Sequence, residues 1–287
     1  MSIDNIKTVG IAGAGTMGQG IAQVCAVAGF DVLLFDIQPD FISKGISLIE
    51  KSLTTAVEKG KIQPVEKEHA LARIKPEPDL QQLKADLIIE AAIENLDVKR
   101  KLFATLEEIN NARCILTTNT SSIPVTQIAA ALKHPERFAG LHFFNPAPIM
   151  KLVEIISGAG TSMATVEVLK QFSEKLGKTA VLAKDSPGFI VNRVARHYYV
   201  EALKLLEENV SDINTIDILM KSAGFKMGPF ELMDLIGVDT NFSVTTSMYY
   251  AFNQEPKFRP SRIQQQKVDA GHHGRKSGRG FYDYPKK

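Results

Sequence analysis

Lys7-Thr8-Val9-Gly10-Ile11-Ala12-Gly13-Ala14-Gly15-Thr16-Met17-Gly18 is the stretch that decides the fold, and Asp36 completes its reading. Lys7 to Ile11 is a short apolar run with the length of a buried strand. Gly13 to Gly18 fits G-x-G-x-x-G, a helix is predicted from Met17 to about Ala28, and Gly29 stands where a C-cap would. A second strand, Val32 to Phe35, ends in Asp36. The hexapeptide alone is a weak signal. A strand before it, a helix after it and an acid at the end of the next strand make it a dinucleotide-binding unit. Gly13 permits the tight turn, Gly15 lets a pyrophosphate approach the backbone, and Gly18 lets the helix pack on the sheet. Thr16 and Met17 open the helix, whose N–H groups and positive dipole end suit phosphates. A carboxylate at Asp36 accepts from ribose hydroxyls and repels a 2′-phosphate, so NAD is expected over NADP; the alternative is a plain polar strand end.

Outward from this unit, Asp40 to Ala72 reads as an inserted helical hairpin, with Ile46, Ile49, Leu53 and Val57 on one face. Further strands are predicted at Leu87–Ala92, Cys114–Thr118, Phe138–Phe143, Leu152–Ile156 and Thr179–Leu182. Helices are predicted at Asp97–Ile109, from Pro124 to Leu132, and at Ala164–Leu176. Strands alternating with helices imply an α/β fold, a Rossmann-type, mostly parallel sheet covered on both faces. After Lys184 only helices are predicted: Pro187-Gly188 to about Glu208, one capped by Ser211 or Asp212, one opened by Pro229, and Val238 to Phe252. The expected domains are therefore residues 1–185, dinucleotide-binding, and a smaller all-α domain, residues 186–287.

With 44% hydrophobic and 23% charged residues the 287-residue chain has ordinary globular usage and can bury a core. A formal charge of +2 lends no support to a nucleic-acid partner. Cys25 and Cys114 lie in apolar runs and read as buried thiols of a reducing compartment, and no His/Cys spacing suggests a metal. No stretch approaches the roughly 20 apolar residues of a membrane span. Residues 1–7 are polar and lack a secretory core, so no membrane partner is expected and the cytoplasm is the expected location.

Among six histidines, His142 alone ends a predicted sheet strand of the first half, the edge where α/β sheets bind ligands. Histidine suits removal of a hydroxyl proton because its reference pKa is about 6.5. His142 and Glu154 lie symmetrically about Pro148, so strands folding back on one another would bring them opposite. Glu154 is also the one acid in Leu152-Val153-Glu154-Ile155-Ile156, and buried glutamates are rare unless paired. On spacing alone, a structural histidine and a sheet-edge glutamate remain an equal alternative.

With these residues in place, the sequence resembles the L-3-hydroxyacyl-CoA dehydrogenase family over nearly the whole chain. GAGTMGQGIA, AAIEN, TNTSS, FAGLHFFNPAPIMKLVEI, DSPGFIVNR, MGPFELMDLIGVD and GRKSGRGFY carry the likeness. The resemblance implies reversible hydride transfer between NAD and an (S)-3-hydroxyacyl-CoA, with 3-hydroxybutyryl-CoA the expected substrate, at a site in the cleft between domains. It makes His142 the base, Glu154 its support, Ser121 a hydrogen-bond donor near the reacting oxygen and Asn192 a substrate contact. It places Glu94, Lys99, Asn145 and Ser121 at the nicotinamide end of the NAD site, with Lys276 approaching from the tail. The hairpin becomes an arm that contacts coenzyme A through Ser52 and Lys59, and a homodimer is implied. Read from the residues alone, Ser121 or Ser122 could cap the helix near Pro124, Asn192 could be a surface residue and Lys59 part of a solvated face. Gly271-His272-His273-Gly274-Arg275-Lys276 departs from the family's tail, and its histidines are expected to be exposed loop residues. Two rival functions stay open: a dehydrogenase of a free hydroxy acid or sugar acid on the same fold, and a non-catalytic NAD-binding protein.

Overall fold

Leu87–Glu90 is buried along its whole length, as a strand covered on both faces must be. It is β4 of an eight-stranded sheet that also contains β1 (Thr8–Ala12), β2 (Asp31–Phe35), β3 (Ile74–Glu77), β5 (Ile115–Thr118), β6 (Phe138–Phe143), β7 (Leu152–Ser157) and β8 (Thr179–Lys184). The order is β3-β2-β1-β4-β5-β6-β7-β8. Six strands are parallel; β7 pairs antiparallel with β6, and β8 runs parallel to β7. The order reverses between β1 and β4, the switch point at which such sheets bind dinucleotides beyond the strands' carboxyl ends. The computed structural model describes residues 2–285; residue 1 of the polar N-terminal stretch and residues 286–287 lie outside them.

The sheet belongs to the first of two compact units, Met1–Ser186 and Pro187–Lys287. Its helices are α1 (Thr16–Val27), α2 (Pro39–Glu58), α3 (Pro64–Ala72), α4 (Leu96–Ile109), α5 (Val125–Ala129) and α6 (Met163–Lys175). The α2–α3 hairpin sits between β2 and β3 and packs against α1. Ile42, Gly45, Ile49 and Leu53 form the buried stripe of α2, so the predicted apolar face is turned: Ile46 and Val57 lie half-buried on its flank. β3 was absent from the sequence reading. Its Ile-Lys-Pro-Glu buries only Ile74, and Pro76 is tolerated because β3 is an edge strand. Helix α5 stops three residues short of the predicted Leu132.

The second unit consists of α7 (Val191–Glu207), α8 (Ile213–Ser222), α9 (Pro229–Ile236), α10 (Val238–Ala251) and α11 (Arg262–Asp269), around Leu203, Phe230, Met233 and Val238. Helix α7 begins four residues after Pro187 because Gly188 and Phe189 take left-handed backbone, with φ of 74° and 47°, and form a turn. Asp212, not Ser211, caps α8 by accepting from the Thr215 N–H at 3.0 Å. Helix α11 escaped the sequence reading because it is mostly polar, burying Gln264 alone of its eight residues. Both cysteines are buried free thiols; burial raises the Cys25 pKa strongly and that of Cys114 to about 12. Among the described residues no helix is long and apolar enough to cross a membrane.

Candidate active site

The glycine loop joins β1 to α1. Gly13 has φ of 117°, and a side chain there would also press on the Ala91 carbonyl at 2.6 Å. Gly18 lies against the Gly13 carbonyl, whereas Gly15 faces open space. No side chain caps α1 at Gly15, so the N–H groups of its first turn, with Thr16 and Met17, have no helical acceptor. The Asp36 carboxylate follows β2 and accepts from the Ala14 N–H at 2.8 Å and the Gln38 N–H at 3.1 Å. Its position is thereby locked to the loop. Open space over Gly15, helix-end donors and a fixed carboxylate fit a dinucleotide's pyrophosphate and ribose.

His142 stands next to last in β6 and is directly paired with Glu154 of β7 in the antiparallel register. Its Nδ1 lies 2.8 Å from Glu154 Oε2, with the two side chains 7% and 1% exposed. Because β6 is parallel to β5, the histidine lies near the same carboxyl edge as the glycine loop. Asn119 braces the end of β6 by accepting from the Phe143 N–H at 2.8 Å. The following loop, with exposed Asn145, is pinned by Lys178, whose ammonium donates to the carbonyls of Ala147 and Met150 at 2.5 and 2.7 Å.

A second polar group joins the ends of β4 and β5. Glu94 accepts from the Thr120 hydroxyl, the Ser121 and Ser122 N–H groups, and the Ser122 hydroxyl at 2.8 Å. Burial would raise the Glu94 pKa, but the Lys99 cation and the hydroxyls of Thr120 and Ser122 outweigh it and hold the carboxyl below its ordinary 4.5. Lys99 itself is 1% exposed, between Glu90 at 2.6 Å and Glu94 at 3.3 Å. Its ammonium therefore stands beside Glu94 at the end of β4, the group with which the sequence placed it. Glu90 passed unnoticed in the sequence, although a single acid in an apolar run was the signal that marked Glu154. Neither Ser121 nor Ser122 caps α5: Asp185 does, accepting from the N–H groups of Val125 and Thr126 at 3.0 and 2.7 Å.

Ser52 and Lys59, two turns apart on α2 and its C-cap, line one cavity of about 730 Å³ with Lys61, Lys151, Lys175 and Lys178. Its wall has five lysines and no acidic residue. In the second unit, Asn192 lies half-buried in the first turn of α7. Lys276 is held 2.7 Å from Asp239. His272 and His273 are half-buried, not exposed, and His273 braces the tail by donating its N–H to Ser277 Oγ at 2.8 Å.

Sheet order, glycine loop and fixed acid define a dinucleotide-binding α/β protein joined to a helical unit. Residues 8–186 match the 3-hydroxyacyl-CoA dehydrogenase NAD binding domain, and residues 188–284 match the C-terminal domain of the same enzymes. The chain belongs to the 3-hydroxyacyl-CoA dehydrogenase family, and its first unit is an NAD-binding domain. It is 51% identical over 282 residues to the Escherichia coli K12 3-hydroxyadipyl-CoA dehydrogenase, covering 98% of this chain but only 59% of that protein. It is 44% identical to the 3-hydroxybutyryl-CoA dehydrogenase of Bradyrhizobium diazoefficiens, covering 97% of this chain and 96% of the other. Among solved structures, (S)-3-hydroxybutyryl-CoA dehydrogenase from Ralstonia eutropha superposes with a TM-score of 0.94 at 43% identity, covering 98% of this chain and all of that one.

Proposed function

We propose that the protein catalyses the reversible, NAD-dependent oxidation of an (S)-3-hydroxyacyl-CoA to the 3-oxoacyl-CoA, with 3-hydroxybutyryl-CoA as the fitting substrate. The observation that carries this reading is the buried His142–Glu154 pair, 2.8 Å apart, at the sheet edge where the fold binds its dinucleotide. Bound NAD supplies the hydride acceptor. His142 takes the hydroxyl proton during oxidation and returns it during reduction. Glu154 fixes the ring with its proton on Nδ1, keeps Nε2 basic and stabilises the imidazolium that forms. Ser121 and Asn192 hydrogen-bond the substrate, as the family likeness suggests. Gly13, Gly15, Gly18, Thr16, Met17 and Asp36 hold the adenosine and pyrophosphate, while Glu94, Lys99, Ser121, Asn145 and Lys276 serve the nicotinamide end.

Coenzyme A is an anionic nucleotide with an apolar adenine. A cavity with five lysines, no acid and the apolar side chains of Val27, Ala56 and Ile149 suits that pairing, and favours a CoA ester over a free hydroxy acid. The proposal includes a homodimer working in the cytoplasm. The test is NADH oxidation followed at 340 nm (the reduced cofactor's absorbance) with acetoacetyl-CoA, longer 3-oxoacyl-CoA esters and free acetoacetate, and NADPH as control. Turnover of CoA esters with NADH supports the proposal. Turnover of the free acid alone would favour the rival dehydrogenase, and NADH binding without consumption of any of them would leave a binding protein.

A further inference from the structure

Glu90 closes β4 with 0% exposure. Its carboxylate accepts from Lys99 Nζ at 2.6 Å, from the Thr118 hydroxyl at 2.7 Å and from the Ala92 N–H at 2.7 Å. Accepting three donors and giving none is the behaviour of an ionised carboxylate. The same ammonium reaches Glu94 only at 3.3 Å, and Glu94, 37% exposed, is the member of the group nearest the surface. One cation thus serves two carboxylates, leaving one negative charge in excess at the ends of β4 and β5. Thr118 and Glu90 also tie β5 to β4, so the turn carrying Glu94 and the loop carrying Ser121 are fixed from below.

We propose that Glu90 is a positioning residue that draws Lys99 into the sheet, leaves the Glu94 carboxylate incompletely neutralised, and so biases the dinucleotide site toward the oxidised cofactor. The inference rests on the NAD reading above. With Asp36 at the end of β2 marking the adenosine half, the other half of a dinucleotide lies over β4 and β5. The nicotinamide ring carries a positive charge when oxidised and none when reduced. An excess negative charge beneath it therefore discriminates between the two forms, which a neutral ion pair would do far less. Glu90 touches neither cofactor nor substrate in this scheme; it acts by taking the closer share of the Lys99 ammonium, at 2.6 Å against 3.3 Å for Glu94.

The experiment compares dissociation constants of NAD, by calorimetry, and of NADH, by fluorescence titration, for wild type, Glu90→Gln and Glu90→Asp at one low salt concentration. Glu90→Gln should weaken NAD relative to NADH by about fivefold, the order expected of one unit charge across a partly solvated site. Glu90→Asp keeps the charge and should keep the wild-type ratio. Equal changes in both constants, or none, would overturn the proposal, since a merely structural role moves the two together. If Glu90→Gln does not fold, Glu94→Gln removes the same charge with the Lys99–Glu90 pair intact and must shift the ratio in the same direction; an unchanged ratio there overturns it too. Wild type that binds neither form would refute the dinucleotide reading and this proposal with it, whereas wild type that binds both beside an unaltered variant ratio refutes the proposal alone.

Discussion

Replacing Glu154 with glutamine keeps the side chain's shape and removes its charge from a solvent-shielded contact. Nδ1 and Oε2 are 2.8 Å apart, and the carboxylate is 1% exposed. Two unit charges at that distance attract by about 6 kcal/mol at an effective dielectric of roughly 20. Glutamine retains a carbonyl dipole, so about 3–5 kcal/mol of imidazolium stabilisation should be lost, or roughly 10²- to 10⁴-fold in kcat. The amide could also turn its NH₂ toward Nδ1 and hold the ring in the wrong tautomer, an effect of the same sign. Steady-state reduction of acetoacetyl-CoA gives kcat and KM, fluorescence titration gives the NADH dissociation constant, and a thermal melt reports folding. The expected result is a fall in kcat with NADH affinity unchanged. A variant that folds, binds NADH and turns over within about tenfold of wild type would refute the pairing argument.

Asp36→Ala should weaken NAD binding and raise the relative use of NADP, because the carboxylate that fits ribose and repels a 2′-phosphate is gone; parallel kcat/KM values for the two cofactors check this. Reversing Lys59 and Lys61 to glutamate puts two acids into a cavity wall whose charged residues are all lysines and should raise KM for acetoacetyl-CoA by about tenfold or more, while a substrate ester lacking the nucleotide is affected much less. The Glu94 carboxyl is held below its ordinary 4.5, so its ionised form stabilises the fold above that pH, and the contribution is lost as pH falls through the lowered folded value. Melting temperatures of wild type and Glu94→Gln should therefore begin to converge as pH falls through 4.5, and go on converging below it.

The β1–loop–α1–β2 unit was legible because everything that forms it is local: apolar runs, three glycines and one acid at fixed offsets. The His142–Glu154 contact was legible as a symmetry about Pro148, and the antiparallel register of β6 and β7 places the two residues directly opposite. Their roles were not legible from spacing, since a paired structural histidine has the same pattern. β3 and α11 were missed because each buries a single residue, leaving no periodicity to find. The ties made by Lys99, Asp185 and Glu90 were hidden for another reason. Their partners lie nine, 59 to 60, and 28 residues away, so only the folded sheet shows which charge each one meets. Glu90 and Asp185 were given no role of their own from the sequence, and both proved to be internal fastenings of loops at the sheet's carboxyl edge.

The claim that His142 carries the proton is tested most directly by His142→Gln, measuring NADH binding and acetoacetyl-CoA reduction on the same preparation. NADH should bind as it does to wild type while turnover falls by roughly 10²- to 10⁴-fold. Undiminished turnover by a folded, NADH-binding variant would contradict the account.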